Sequence, residues 1–90
     1  MRYTVLWKPS AEQELASIWT SASDRDNITV AANRIDKLLQ SNAEQRGESR
    51  SAGIRILVVP PLGVLFSVEP DDRIVNVGTV WRFSKRDKDA

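Results

Sequence analysis

The sequence predicts an α+β fold of order β-α-α-β-β-β, a helical hairpin packed on one face of a small, mostly antiparallel four-stranded sheet. Three observations predict it. Two stretches in the first half carry apolar residues at helical spacing. Three β-rich runs between Gly53 and Phe83 are separated by two turn signals, Pro60-Pro61-Leu62-Gly63 and Glu69-Pro70-Asp71-Asp72. A short β-rich run, Tyr3 to Trp7, opens the chain and ends at Lys8-Pro9, because proline cannot sit inside a strand ladder.

The elements follow in order. After Pro9, Ser10-Ala11-Glu12-Gln13 reads as a capping box, with the Ser10 hydroxyl over the Gln13 amide. Ala11, Leu15, Ile18, Trp19 and Ala22 then form one apolar stripe, which places helix one at about residues 10–22. Ser23-Asp24-Arg25-Asp26 is a break, and either aspartate suits the next N-cap. Ile28, Ala31, Ala32, Ile35, Leu38 and Leu39 make the second stripe, to about Ser41, with Asn42 as a left-handed stop. So short a link makes the two helices an antiparallel hairpin. Residues 43–53 hold no large apolar side chain and read as a flexible loop carrying Arg46 and Arg50. Ile54 to Val59, Val64 to Val68 and Arg73 to Phe83 are strands two, three and four, an antiparallel meander. Strand one pairs parallel to one of them through the helical crossover.

Ninety residues make one domain, 1–83, followed by a charged tail, 84–90. So small a chain buries only about 60–65% of its unfolded surface, so a partner adds much to its stability. A net charge of +1 argues against binding nucleic acid through bulk electrostatics alone. Cysteine is absent, which excludes disulfides and thiolate metal sites and fits a reducing cytoplasm. Histidine is absent too, which removes the commonest general base and metal ligand. No apolar run approaches the roughly 20 residues of a membrane span, and MRYTVLWKPS has no signal-peptide core. A soluble, cytoplasmic protein is expected, with no cofactor and no metal. The acidic cluster Glu69, Asp71 and Asp72 is explained by the turn it forms.

The spacing of several short segments resembles the RelE/ParE superfamily of bacterial type II toxin–antitoxin systems. The segments are the opening strand ending in Trp7, Pro9-x-Ala11 with Leu15 and Ile18, Gly53-Ile54-Arg55-x-Leu57, Pro61-Leu62-Gly63-Val64-Leu65-Phe66-Ser67-Val68, and Val77-Gly78-Thr79-Val80-Trp81-Arg82. The resemblance covers residues 3–83, and order and spacing carry it rather than any one motif. It implies a plasmid-stabilisation toxin, neutralised by a cognate antitoxin in a hetero-oligomer. It also implies one of two targets: DNA gyrase for ParE-like members, or messenger RNA on the ribosome for RelE-like ones. A degenerate, non-toxic member acting only as a binding module is the third reading.

Metal-free RNA cleavage needs a group to activate the 2′-hydroxyl, a proton donor and cations for the phosphate. The resemblance assigns these, if the chain is RelE-like, to Arg55 and Arg82. Gly63 stands where family members often carry an arginine, and the only tyrosine is Tyr3. Arg46, Arg50, Trp81 and Phe83 are candidates for target or antitoxin binding. The bland readings are an ion pair for Arg55, a solvated edge for Arg82, loop charges for Arg46 and Arg50, and core for the aromatic pair. The absence of histidine, and of lysine in the three later strands, favours the ParE-like, non-nucleolytic reading.

Overall fold

A computed structural model describes residues 2–51 and 53–83. The tail at 84–90 lies outside the described residues. The order is β1 (Thr4–Trp7), α1 (Pro9–Ser21), α2 (Arg25–Gln40), a 3₁₀ turn (Ala43–Gln45), β2 (Glu48–Ser51), β3 (Ile54–Val59), β4 (Leu62–Glu69) and β5 (Ile74–Arg82). The α+β class and the one-sided helical hairpin are as the sequence predicts. The sheet has five strands rather than four, in the order β1-β5-β4-β3-β2. β1 runs parallel to β5, and every other pair is antiparallel.

The extra strand, β2, forms in the segment expected to be loop. All four of its residues are exposed, so hydrophobic periodicity could not reveal it. Backbone pairing to the edge of β3 holds it instead. Gly47 permits the approach: its φ is +67°, and a Cβ there would collide with the Ile56 carbonyl.

The core lies between the helices and the sheet. Ile28, Ala31, Ile35 and Leu39 of α2 form one buried cluster with Leu62, Val64 and Phe66 of β4 and Val75 and Val77 of β5. Burying each valine, leucine, isoleucine and phenylalanine of this set contributes about 1.5–3 kcal/mol. Ala11 is fully buried in α1, while Leu15 and Ile18 pack from the margin. α1 lies chiefly on β5.

Each helix ends on an arginine. The Arg25 guanidinium lies 4.8 Å from the centroid of the Trp19 ring and donates to the Trp19 and Thr20 carbonyls at 3.0 and 2.9 Å. Arg46 Nε–H is shared between the Leu38 and Ser41 carbonyls, at 3.1 and 3.2 Å. Both add a cationic donor to carbonyls at a helix end and complement its dipole, beside the Ala22 and Ser41 N–H groups that the Trp19 and Leu38 carbonyls also accept. Asn42 adopts the left-handed conformation expected of it, with φ 55°. The capping box does not form. Lys8 is the N-cap, Pro9 opens the helix, and the Ser10 hydroxyl donates to the Gly78 carbonyl at 3.2 Å. Pro9 has no N–H to satisfy and its fixed φ suits the first helical position, so the helix starts one residue early.

That contact marks the main irregularity of the sheet. Leu65 pairs with Thr79 and Phe66 with Val77, so Gly78 is an unpaired bulge. The bulge reverses the facing of β5. Val75 and Val77 face the helices, but so do Val80 and Arg82, while Thr79 and Trp81 turn to the open face. Uniform alternation would have put Trp81 with Val75 and Val77. α1 completes the backbone pairing here, since Glu14 Oε1 accepts the Val80 N–H at 3.0 Å. On the open face Trp81 stands opposite Gly63, where a Cβ would lie 2.7 Å from its Cε2 and Cζ2 atoms.

Because the bulge turns it inward, Arg82 reaches the link between the helices and binds the Asp24 carboxylate through two hydrogen bonds, 2.8 and 2.9 Å. This bonding lowers the Asp24 pKa from 3.8 to about 2. A carboxylate depressed in the folded state stabilises above its unfolded pKa and loses that contribution as pH falls through the folded value. Urea midpoints of the wild type should fall between about pH 4 and pH 2, and those of Asp24→Asn should fall less across that window while starting lower at neutral pH. Gly63→Ala should displace the Trp81 indole, cost about 1–3 kcal/mol through overpacking, and shift tryptophan emission.

Candidate functional site

The sheet has two unlike faces. One is covered by α1 and α2. No element among the described residues covers the other. Ile54, Ile56 and Val58 of β3, Leu65 of β4 and Trp81 of β5 share the open face by register. Val58 is 47% exposed and Ile54 41%. Phe83 follows, its ring edge-on to Trp81 with centroids 6.2 Å apart. Gly63, Ser67 and Thr79 complete the middle of the face. Among the described residues this middle carries no ionisable side chain. Glu69 lies at one end, where its carboxylate accepts the Asn76 amide at 2.7 Å. Glu48 and Arg50 lie at the outer edge on β2, 3.8 Å apart and exposed.

The candidate phosphate-binding arginines lie elsewhere. Arg55 pairs with Phe66 in register and so belongs to the helix side. Its Nε and Nη2 donate to the Arg46 and Gly47 carbonyls at 2.7 and 3.0 Å, closing the turn into β2. Arg82 is held by Asp24. The two are not brought together. They are separated by two strand spacings and four residues along β4, roughly 16 Å. Arg46 caps α2 and its carbonyl receives Arg55, so these two are joined. Tyr3 gives its hydroxyl proton to Glu44 at 2.9 Å, and that bond raises its pKa further.

A further surface, which the sequence does not reveal, is concave. α1 and α2 border a groove of about 580 Å³. Trp7, Leu15, Ala16, Ile28 and Ala32 form its apolar floor, and Trp19 stands beside the hairpin turn. The Trp19 indole N–H donates to Thr29 Oγ1 at 3.2 Å across that end. Glu12 and Asp36 stand at the opposite end. Leu15 and Trp19 belonged to the predicted core stripe. Only the placement of the two helices in the fold, a tertiary property, makes part of that stripe the lining of a groove. Among the described residues no set of acidic side chains is arranged to hold a metal, and no helix is long and apolar enough to cross a membrane.

Known structures share this architecture. The chromosomal ParDE toxin–antitoxin system of P. aeruginosa superposes with TM-score 0.71 at 19% identity, covering 92% of this chain and 98% of the other. The RelBE2 toxin–antitoxin complex of Mycobacterium tuberculosis gives 0.74 at 16%, covering 91% and 99%. The isolated E. coli RelE toxin gives 0.61 at 14%, covering 97% and 93%. Identities this low establish the fold alone. A comparison with curated protein sequences gives no significant match. At the level of family, residues 5–86 match the ParE toxin of type II toxin–antitoxin systems, parDE, and the chain belongs to that family.

Proposed function

We propose that this protein is a growth-inhibiting toxin of a plasmid-stabilisation type, held inactive by a cognate antitoxin and acting on DNA gyrase without cutting RNA. One observation carries the non-nucleolytic part. The middle of the open sheet face offers no acid, base or cation among the described residues, and Arg55 and Arg82 already give their donors to groups on the other side. General acid–base cleavage requires a proton-transferring group within hydrogen-bond reach of the reacting hydroxyl. The membership in the ParE family favours the same reading. The apolar, one-sided exposure of the sheet supports a protein partner, since contiguous exposed apolar surface marks interaction sites.

Expression of the chain alone should arrest growth and induce the DNA-damage response. Purified protein should inhibit supercoiling by gyrase and leave messenger RNA intact in a translating ribosome extract. RNA cleavage with supercoiling untouched would replace this reading by the RelE-like one. Arg55→Ala should act on the fold rather than on turnover. Loss of two charge-assisted hydrogen bonds should cost about 1–3 kcal/mol and lower the melting temperature by several degrees, with gyrase inhibition retained well below the melt. Calorimetry beside the supercoiling assay separates the two effects.

A further inference from the structure

We propose that two copies of this chain associate in solution by packing their open sheet faces together, with the strands of the two sheets running in opposite directions. The proposal goes beyond the toxin–antitoxin reading and does not rest on it. Leu6 pairs with Asn76 in register, which places it on the open face beside Ile54 and Val58. These three and Phe83, at the end of the face, are each more than a third exposed, whereas Trp19 and Val30 are the helical residues exposed to that degree.

The area suits a second copy. Five strands about 4.8 Å apart span about 19 Å, and the β4 strand, Leu62–Glu69, runs about 26 Å, a flat footprint of about 500 Å². Two such faces remove about 1,000 Å² from water, the lower end for a specific interface and the size of a weak, reversible dimer.

The chemistry is self-complementary, as a twofold contact requires. The middle of the face carries no ionisable side chain among the described residues, so no like charges meet there. Its polar side chains, Ser67 and Thr79, are hydroxyls, which both donate and accept and can bond to their own kind. Gly63 beside the Trp81 indole, and Thr79 beside Leu65, set small residues next to large ones. A second sheet about 10 Å away interdigitates with such relief.

Glu69 fixes the direction. β4 is the middle strand, and Glu69 ends it on this face. A twofold axis along the strands would set the two Glu69 carboxylates against each other, and like charges so juxtaposed oppose association. An axis across the strands separates them. It lays the Trp81–Phe83 end of each copy over the Ile54 end of the other.

Sedimentation equilibrium of the full chain from about 1 to about 300 μM should show a monomer–dimer equilibrium with Kd of about 10–100 μM. That Kd should move less than about twofold between about 50 and about 500 mM sodium chloride, because no charges meet. Val58→Lys and Leu65→Lys each bring a charge into the contact from both copies and should each weaken the dimer at least about tenfold. Val30→Lys, on α2, should leave it unchanged, and thermal melts check that each variant is folded. The chain has no cysteine, so Asp71→Cys, in the turn after β4, takes a single spin label. Pulsed EPR should place the two labels about 25 Å apart or more, against about 10–15 Å for strands running the same way. A chain that stays monomeric over the whole range would overturn the proposal. So would a dimer unmoved by the folded lysine variants of the face, or one broken instead by Ala16→Arg in the helical groove. A short label distance would overturn the strand arrangement.

Discussion

The structure depends on one constraint: two helices cover only one face of a five-stranded sheet. The covered side is closed efficiently. Ile28, Ala31, Ile35 and Leu39 repeat along α2 at i, i+3, i+7 and i+11, and Leu62, Val64 and Phe66 alternate beneath them. The alanines Ala11 and Ala31 let the helices come close to the strands, and the larger side chains then fill the layer. The same economy leaves Ile54, Val58, Leu65 and Trp81 without cover from any described element. In a chain whose core is limited by its length, such a surface is unfavourable alone and becomes useful when a second protein buries it.

Four arginines hold the connections. Arg25 closes α1, Arg46 closes α2, Arg55 fastens the turn into β2, and Arg82 fastens the helical link to the last strand. A guanidinium is suited to this because its planar fork gives several directed hydrogen bonds at once. The arrangement also explains why the basic residues among those described do not gather into an anion site. Donors already aimed at backbone carbonyls 2.7–3.1 Å away are not free for a phosphate without opening the turn they close.

Much of the fold was legible in the sequence because its signals are periodic or punctuated. Both helices, the three meander strands and the parallel placement of β1 follow from apolar spacing, prolines and turn residues. β2 left no trace because its four side chains face solvent and only its backbone bonds matter. The site was less legible. Arg55 and Arg82 could be named as cations, but their partners, two carbonyls of a tight turn and an aspartate 58 positions away, exist only after folding. The groove beside Trp7 was hidden for the same reason. A stripe of apolar residues does not say whether the facing helix meets it or leans away.

The bulge at Gly78 has one more consequence. It decides which of two neighbouring β5 residues serves which side of the sheet, Trp81 outward and Arg82 inward to the helices. The two are joined by a single rigid peptide. The strand end therefore carries, in adjacent residues, one contact to each side of a layer that is otherwise closed.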